Sequence, residues 1–173
     1  MLQKVATQPA QAKVSNWNLG FGNQFALAES FETRNFDIGF WEVNPRMNFQ
    51  FNQKFRLTTG YVFKQRKNTD VTNTVDARLN VHKLVFDTRW NIKDRNNIFT
   101  KLEISNLSQV GSPGFSAEYE LREGLQPGLN AVWQAFITVY LLENVELNLT
   151  YDGRASTGTP VIHTGRIQVR AFF

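Results

Sequence analysis

Two histidines, His82 and His163, are the only side chains in this chain whose ordinary pKa lies near neutral pH, and no cysteine is present. A nucleophilic site needs a hydroxyl and a base within hydrogen-bond reach. His163, close in sequence to Ser156, Thr157 and Thr164, is the first candidate for the base, and His82 is the second. Glu146 and Asp152 fall on one face if their segment is extended, and could act as a carboxylate pair. Against these stand plainer roles: a polar residue where a strand leaves its layer, and an ion-pair network in which Arg154, Arg166 and Arg170 on the neighbouring strand neutralise the two acids. The chain has no HExxH, paired-histidine spacing, Gly-rich phosphate loop or GxSxG. The sequence predicts no catalytic residue, no metal and no cofactor.

The elements that must position these groups are read from hydrophobic periodicity. Segment after segment alternates with a period of two, which places successive side chains on opposite faces of a strand. In 41–51, Trp41, Val43, Met47, Phe49 and Phe51 oppose Glu42, Asn44, Arg46, Asn48 and Gln50. The same pattern recurs over 16–28, 55–64, 83–92, 98–105, 129–141 and 145–152, and closes with RIQVRAFF at 166–173. The polar face collects Glu42, Arg46, Arg56, Lys64, Lys83, Asp87, Arg89, Lys101, Glu103, Glu146, Asp152, Arg154, Arg166 and Arg170. Phase slips near Phe40-Trp41 and His82-Lys83 are expected to be bulges, and Pro45 is expected at a strand end or bulge because it lacks an N–H.

Periodicity does not say which face meets water. Volume does: an eight-stranded barrel has an interior just wide enough for side chains, too narrow for the Phe, Leu and Trp residues of the apolar face. Short turns at 52–54, 93–96 and 142–144 alternate with longer connections at 29–35, 65–76, 107–128 and 155–160, the pattern of periplasmic turns and surface loops. Treating 115–125 as part of a surface excursion leaves an even strand count. The expected fold is therefore all-β, an eight-stranded antiparallel up-and-down transmembrane β-barrel over 16–173, preceded by a flexible periplasmic leader over 1–15. No stretch reaches the roughly 18 consecutive apolar residues of a membrane-spanning helix, and 1–14 has no apolar core of a secretory signal, so a mature chain or an excised domain is expected. The balance of 19 basic to 15 acidic residues gives no argument for nucleic acid.

The final strand, with alternating apolar positions up to Phe173, resembles the carboxyl-terminal segment of bacterial outer-membrane proteins. YELREGLQPGLNAVW, LTYDGR and IHTGRIQVRAFF look, more narrowly, like the carboxyl-terminal barrels of surface proteins in Bacteroidota. The resemblance is strong from Tyr119 onward and general from Asn16. It implies that Phe173 is an assembly signal presented to the barrel assembly machinery, that both termini are periplasmic in a Gram-negative outer membrane, and that the module anchors or supports. On this reading the charged face fills the lumen with a network of Glu42, Arg46, Arg56, Asp87, Arg89, Lys101, Glu103, Glu146, Asp152, Arg166 and Arg170. Arg34, Lys64, Arg66, Lys67 and Arg154 are candidates for contacts to lipid phosphate. Trp17, Trp41, Tyr61, Trp90, Trp133 and Tyr151 are candidates for aromatic girdles. Outer-membrane lipid is the expected partner, with a surface or envelope protein able to bind the 107–128 excursion. The alternatives are a soluble β-barrel holding a hydrophobic ligand, and a lipid-modifying enzyme built on His163.

Overall fold

The computed structural model describes the backbone of residues 11–26, 36–68, 77–92, 95–111 and 115–172, with side chains from Ile38 onward apart from those of 115–117. The chain is all-β with one short helix. Its strands are β1 (Gln11–Ala26), β2 (Phe36–Gln50), β3 (Phe55–Asn68), β4 (Ala77–Asn91), β5 (Asn97–Val110), β6 (Gly128–Leu142), β7 (Val145–Ser156) and β8 (Ile162–Ala171), with α1 (Phe115–Arg122) between β5 and β6. Antiparallel ladders join the strands in chain order, β1 through β8, as an up-and-down meander. Short turns close one end: the Asn52 side chain accepts the Lys54 and Phe55 N–H groups at 2.8 and 2.7 Å, an Asx-type turn between β2 and β3.

The ladders keep side-chain faces in register across the sheet. Glu42 pairs with Lys64, Lys64 with Val81, and Val81 with Leu107. Val132 pairs with Glu103 on one side and Arg154 on the other. One face, called inner here, therefore carries the charges, and the other, outer, carries Trp41, Phe63, Leu84, Leu102, Trp133 and Ile167.

Several expectations are corrected. The sheet is not closed: no ladder joins β8 to β1 among the described residues, and all ten residues of β8 are exposed. A strand paired on one side only keeps a row of N–H and C=O groups that water can satisfy. The first strand begins at Gln11, so 11–15 belong to the sheet and not to a leader; residues 1–10 and Phe173 lie outside the described residues. Strands β3, β5 and β7 run further toward the long connections than the alternation indicated.

Neither expected bulge is present. Phe40 pairs with Arg66 and Trp41 with Gln65, while His82 pairs with Phe63 and Lys83 with Val62, with no change of register. The irregularities fall instead between Val14 and Asn16 and between Tyr140 and Leu142. What looked like a phase slip is a change in the chemistry of the inner face, which turns apolar toward the long connections. Pro45 lies inside β2, paired with Trp17, and the ladder to β3 skips Asn44 and Pro45 while keeping its register, so the missing donor interrupts the pairing without a bulge.

The reason for the apolar inner patch is α1. The 107–128 excursion was expected to be a surface loop, but its helix returns to the inner face. Leu121 is fully buried among Ile38, Ala77, Leu79, Val81 and Leu107, with Leu125 packed alongside. These side chains form the hydrophobic cluster of the described residues, and they lie at the long-connection end.

Elsewhere the outer face is built by contacts along the sheet. A Cβ added at Gly153 would lie 2.1 Å from Trp133 Cε2, so the indole lies flat on the backbone of the neighbouring strand, where Trp133 and Gly153 are register partners. Gly153→Ala is expected to destabilise the fold by about 1–3 kcal/mol through overpacking, as measured by denaturant titration. Trp133→Leu should remove most of that penalty in the double variant; an alanine tolerated beside an intact Trp133 would contradict the packing.

Candidate functional site

The densest constellation of charges sits where α1 meets β2 to β5. Arg66, on the inner face of β3 and only 2% exposed, donates from Nη1 to the carbonyl oxygens of Glu120 and Leu121 at 2.9 and 3.1 Å. These carbonyls end the helix, where the backbone dipole is negative and the last C=O groups lack intrahelical partners, so a guanidinium is a fitting cap. The chain then turns through Glu123 at φ 54° and Gly124 at φ 74°, with the Gly124 N–H donating to Tyr119 O at 3.2 Å. The left-handed conformation at Glu123, unfavourable for a residue with a Cβ, brings its carboxylate to Lys64 Nζ at 2.6 Å and Arg66 Nη1 at 3.0 Å. On the other side of the helix, Glu118 takes Arg122 in an i,i+4 pair and Gln109 at 3.2 Å. No helical period shows in the sequence here, since the residues of 115–122 mix polar and apolar without a wide stripe; among the described side chains of the helix, 118–122, Leu121 is the buried one.

Below the helix lies a cavity of about 200 Å³, lined by Glu42, Arg46, Lys64, Lys83 and Glu103 together with the apolar patch. Its charges are largely matched. Glu103 takes Lys101 at 2.7 Å and Lys83 at 3.5 Å, and Asn44 bridges Arg46 at 3.3 Å and Glu42 at 3.5 Å.

The expected lumen residues therefore share the inner face, but only part of them form ion pairs. Glu146 meets Arg170 at 3.8 Å and is hydrogen-bonded by Tyr140 at 2.8 Å and by Asn148. Asp87 pairs in register with Thr58 and Lys101, and Asp152 with Gln134 and Thr164. One Asp87 oxygen is buried without a hydrogen-bond partner among the described residues. Arg56, Arg89 and Arg166 lie exposed on the same face. Among the candidates for lipid phosphate, Lys64 and Arg66 are turned inward and taken by Glu123 and the helix, and Arg154 shares the inner face of β7 with Asp152; alternation and register account for all three. Lys67, paired with Gly39 and Arg78, takes the outer face, and Arg34 lies outside the described residues.

The two histidines lie on the outer face in matching surroundings. His82 Nδ1 is 2.7 Å from the Tyr61 hydroxyl, with Phe63 at 4.8 Å between ring centroids. His163 Nδ1 is likewise 2.7 Å from the Tyr151 hydroxyl, with Trp133 at 5.8 Å. Thr164 and Ser156 belong to the opposite face, because Thr164 pairs with Asp152 and Ser156 with Asn130, and Thr157 donates to Leu129 O at 3.0 Å. The period of two thus keeps the neighbouring hydroxyls away from the His163 ring. The sequence offered each histidine singly; the matched tyrosine partners follow only from the register. Among the described residues no cluster of three metal-ligating side chains occurs.

Burial alone would push the Glu123 carboxyl up, but the Lys64 hydrogen bond and the charges of Lys64, Arg66 and Lys83 outweigh it and hold the group below its ordinary value of 4.5. A carboxyl with a lowered folded-state pKa stabilises above its unfolded value and loses that contribution as pH falls through the folded one. Docking of α1 is therefore expected to loosen as pH drops below about 4.5, and Glu123→Gln should flatten that acid step. Arg66→Ala should lower the opening free energy of the Glu118–Arg122 amides by about 3 kcal/mol, since it empties a buried charged position. Amide hydrogen exchange reads both; unchanged protection in Arg66→Ala would contradict the capping role.

Comparison with known proteins finds no matching family model, no matching curated protein and no matching solved structure.

Proposed function

We propose that this protein is an outer-membrane β-barrel that serves as a membrane anchor or structural module. The observation that carries this reading is the inverted distribution of side chains. Large apolar residues lie exposed on the outer face, among them Trp41, Met47, Leu84, Trp90, Leu102, Tyr151 and Ile167, while the buried set includes Arg66, Asn44, Asn68, Asn130 and Glu146. Water-soluble chains rarely expose apolar surface on this scale unless something covers it, and a face running the width of a sheet suits lipid. The turn pattern supports the same orientation, with short turns and both termini on the periplasmic side.

Hydrocarbon offers no partner to a free strand edge. The reading therefore requires β8 to pair with β1 in the bilayer, closing eight strands into a barrel whose inner face holds α1 and its charges. Outer-membrane lipid is the main partner, the barrel assembly machinery acts during biogenesis, and an envelope or surface protein is the partner of an anchor. The matched Tyr61–His82 and Tyr151–His163 pairs suit an interfacial belt, where amphipathic rings have one apolar and one wet side.

Refolding with and without detergent micelles tests the reading. The expected result is β-structure only in micelles, with a band that changes mobility on boiling. A monodisperse β-rich protein in plain buffer would contradict it.

A further inference from the structure

Away from the helix, toward the short turns, the inner face has a different composition. Arg56, Arg89, Phe99, Phe136, Thr150 and Arg166 are successive register partners across β3 to β8, one residue from each strand. Arg56 and Arg89 stand directly opposite each other, an arrangement that repels. Both are exposed, and neither has a hydrogen bond or ion pair among the described residues. Among the described residues no acid faces them from the same row: Glu146 is taken by Tyr140, Asn148 and Arg170, and Asp87 lies two residues along β4. Beside the arginines, Phe99 and Phe136 lie with ring centroids 5.9 Å apart and planes at 38°, and Phe136 is 39% exposed. An aromatic pair away from the apolar patch under the helix, next to cations that no acid among the described residues meets in an ion pair, is a combination that plugging a lumen does not require.

We propose that this row is a binding site for a small aryl carboxylate. The Phe99–Phe136 pair offers a flat apolar platform for the ring. Arg89, one strand from Phe99, presents a guanidinium fork to the carboxylate, the geometry in which arginine binds carboxylates best. Arg56 supplies the second positive charge, and the bound anion relieves its repulsion from Arg89. Adjacent strands lie about 4.8 Å apart, so a ring on the phenylalanines and a carboxylate at Arg89 fit a ligand the size of benzoate. The site needs only β3 to β6 and does not depend on the membrane reading; a soluble sheet would carry it equally.

The test is a titration of the full folded chain with benzoate, followed by ligand-observed saturation-transfer NMR, in whichever medium keeps the protein monodisperse. Acetate and benzyl alcohol are the comparators, lacking the ring and the charge. Saturable benzoate binding is expected, with each comparator at least roughly tenfold weaker. Arg89→Gln should weaken benzoate by about tenfold through loss of the charge-assisted pair, and Phe136→Leu by several-fold, while Arg78→Gln near the opposite end should leave it unchanged. If Arg89→Gln does not fold, Arg56→Gln serves in its place. No binding by the native chain, or equal binding by the arginine variants and the native chain, would overturn the proposal.

Discussion

Antiparallel register, unbroken through β3, β4 and β5, is the constraint on which the rest depends. Because consecutive residues of a strand point to opposite faces, one slip would carry a charge to the apolar side and a tryptophan to the charged side. From Phe55–Trp90 through Asn68–Ala77 the β3–β4 ladder holds without interruption, and β4–β5 does the same from Arg78–Val110 to Asn91–Asn97. Two chemically separate surfaces follow from that regularity. On one, rings pack along the strands, as Trp133 does on Gly153; on the other, ion pairs and amides fill the space over the sheet.

The inner surface is itself divided. Toward the long connections α1 fills it, and the need to bury Leu121 explains why Ile38, Leu79, Val81 and Leu107 interrupt the charges there. The helix is held by Leu121 in that cluster, by Arg66 on its terminal carbonyls and by Glu123, whose left-handed backbone puts a carboxylate between two cations. Eight residues are too few for a helix to persist alone in water, so the docking contacts are what make it one. Toward the short turns Arg56, Arg89 and Phe136 stay exposed among the described residues, so the arginines and the aromatic pair face an open space there.

Much of the sheet could be read from the sequence, because alternation is a local property that each strand displays on its own. The sharing of one face by Glu42, Lys101, Glu146 and Arg170 needed only the period of two. The helix was hidden because its residues show no wide apolar stripe and its anchor, Arg66, is more than fifty positions away in sequence. The same distance explains the misread bulges: Val81 and Leu79 looked out of phase only because the side chain they pack against, Leu121, was unknown. Pro45 misled for another reason, since one absent N–H can be accommodated by a gap in a single ladder. The tyrosine partners of His82 and His163, and the line of Arg56, Arg89, Phe99 and Phe136, were invisible because register between strands, not spacing within one, creates them.

The central claim is that the face bearing Trp41, Trp90 and Trp133 meets lipid. It is tested most directly by tryptophan fluorescence of the protein refolded into vesicles whose acyl chains carry bromine, compared with quenching by aqueous acrylamide. Strong quenching by the brominated chains and little by acrylamide are expected, with the bromine quenching lost in a variant in which Trp17, Trp41, Trp90 and Trp133 are all replaced by phenylalanine and Phe136→Trp is the single, inward-facing reporter. Efficient acrylamide quenching with no effect of bromine would place that face in water and contradict the account.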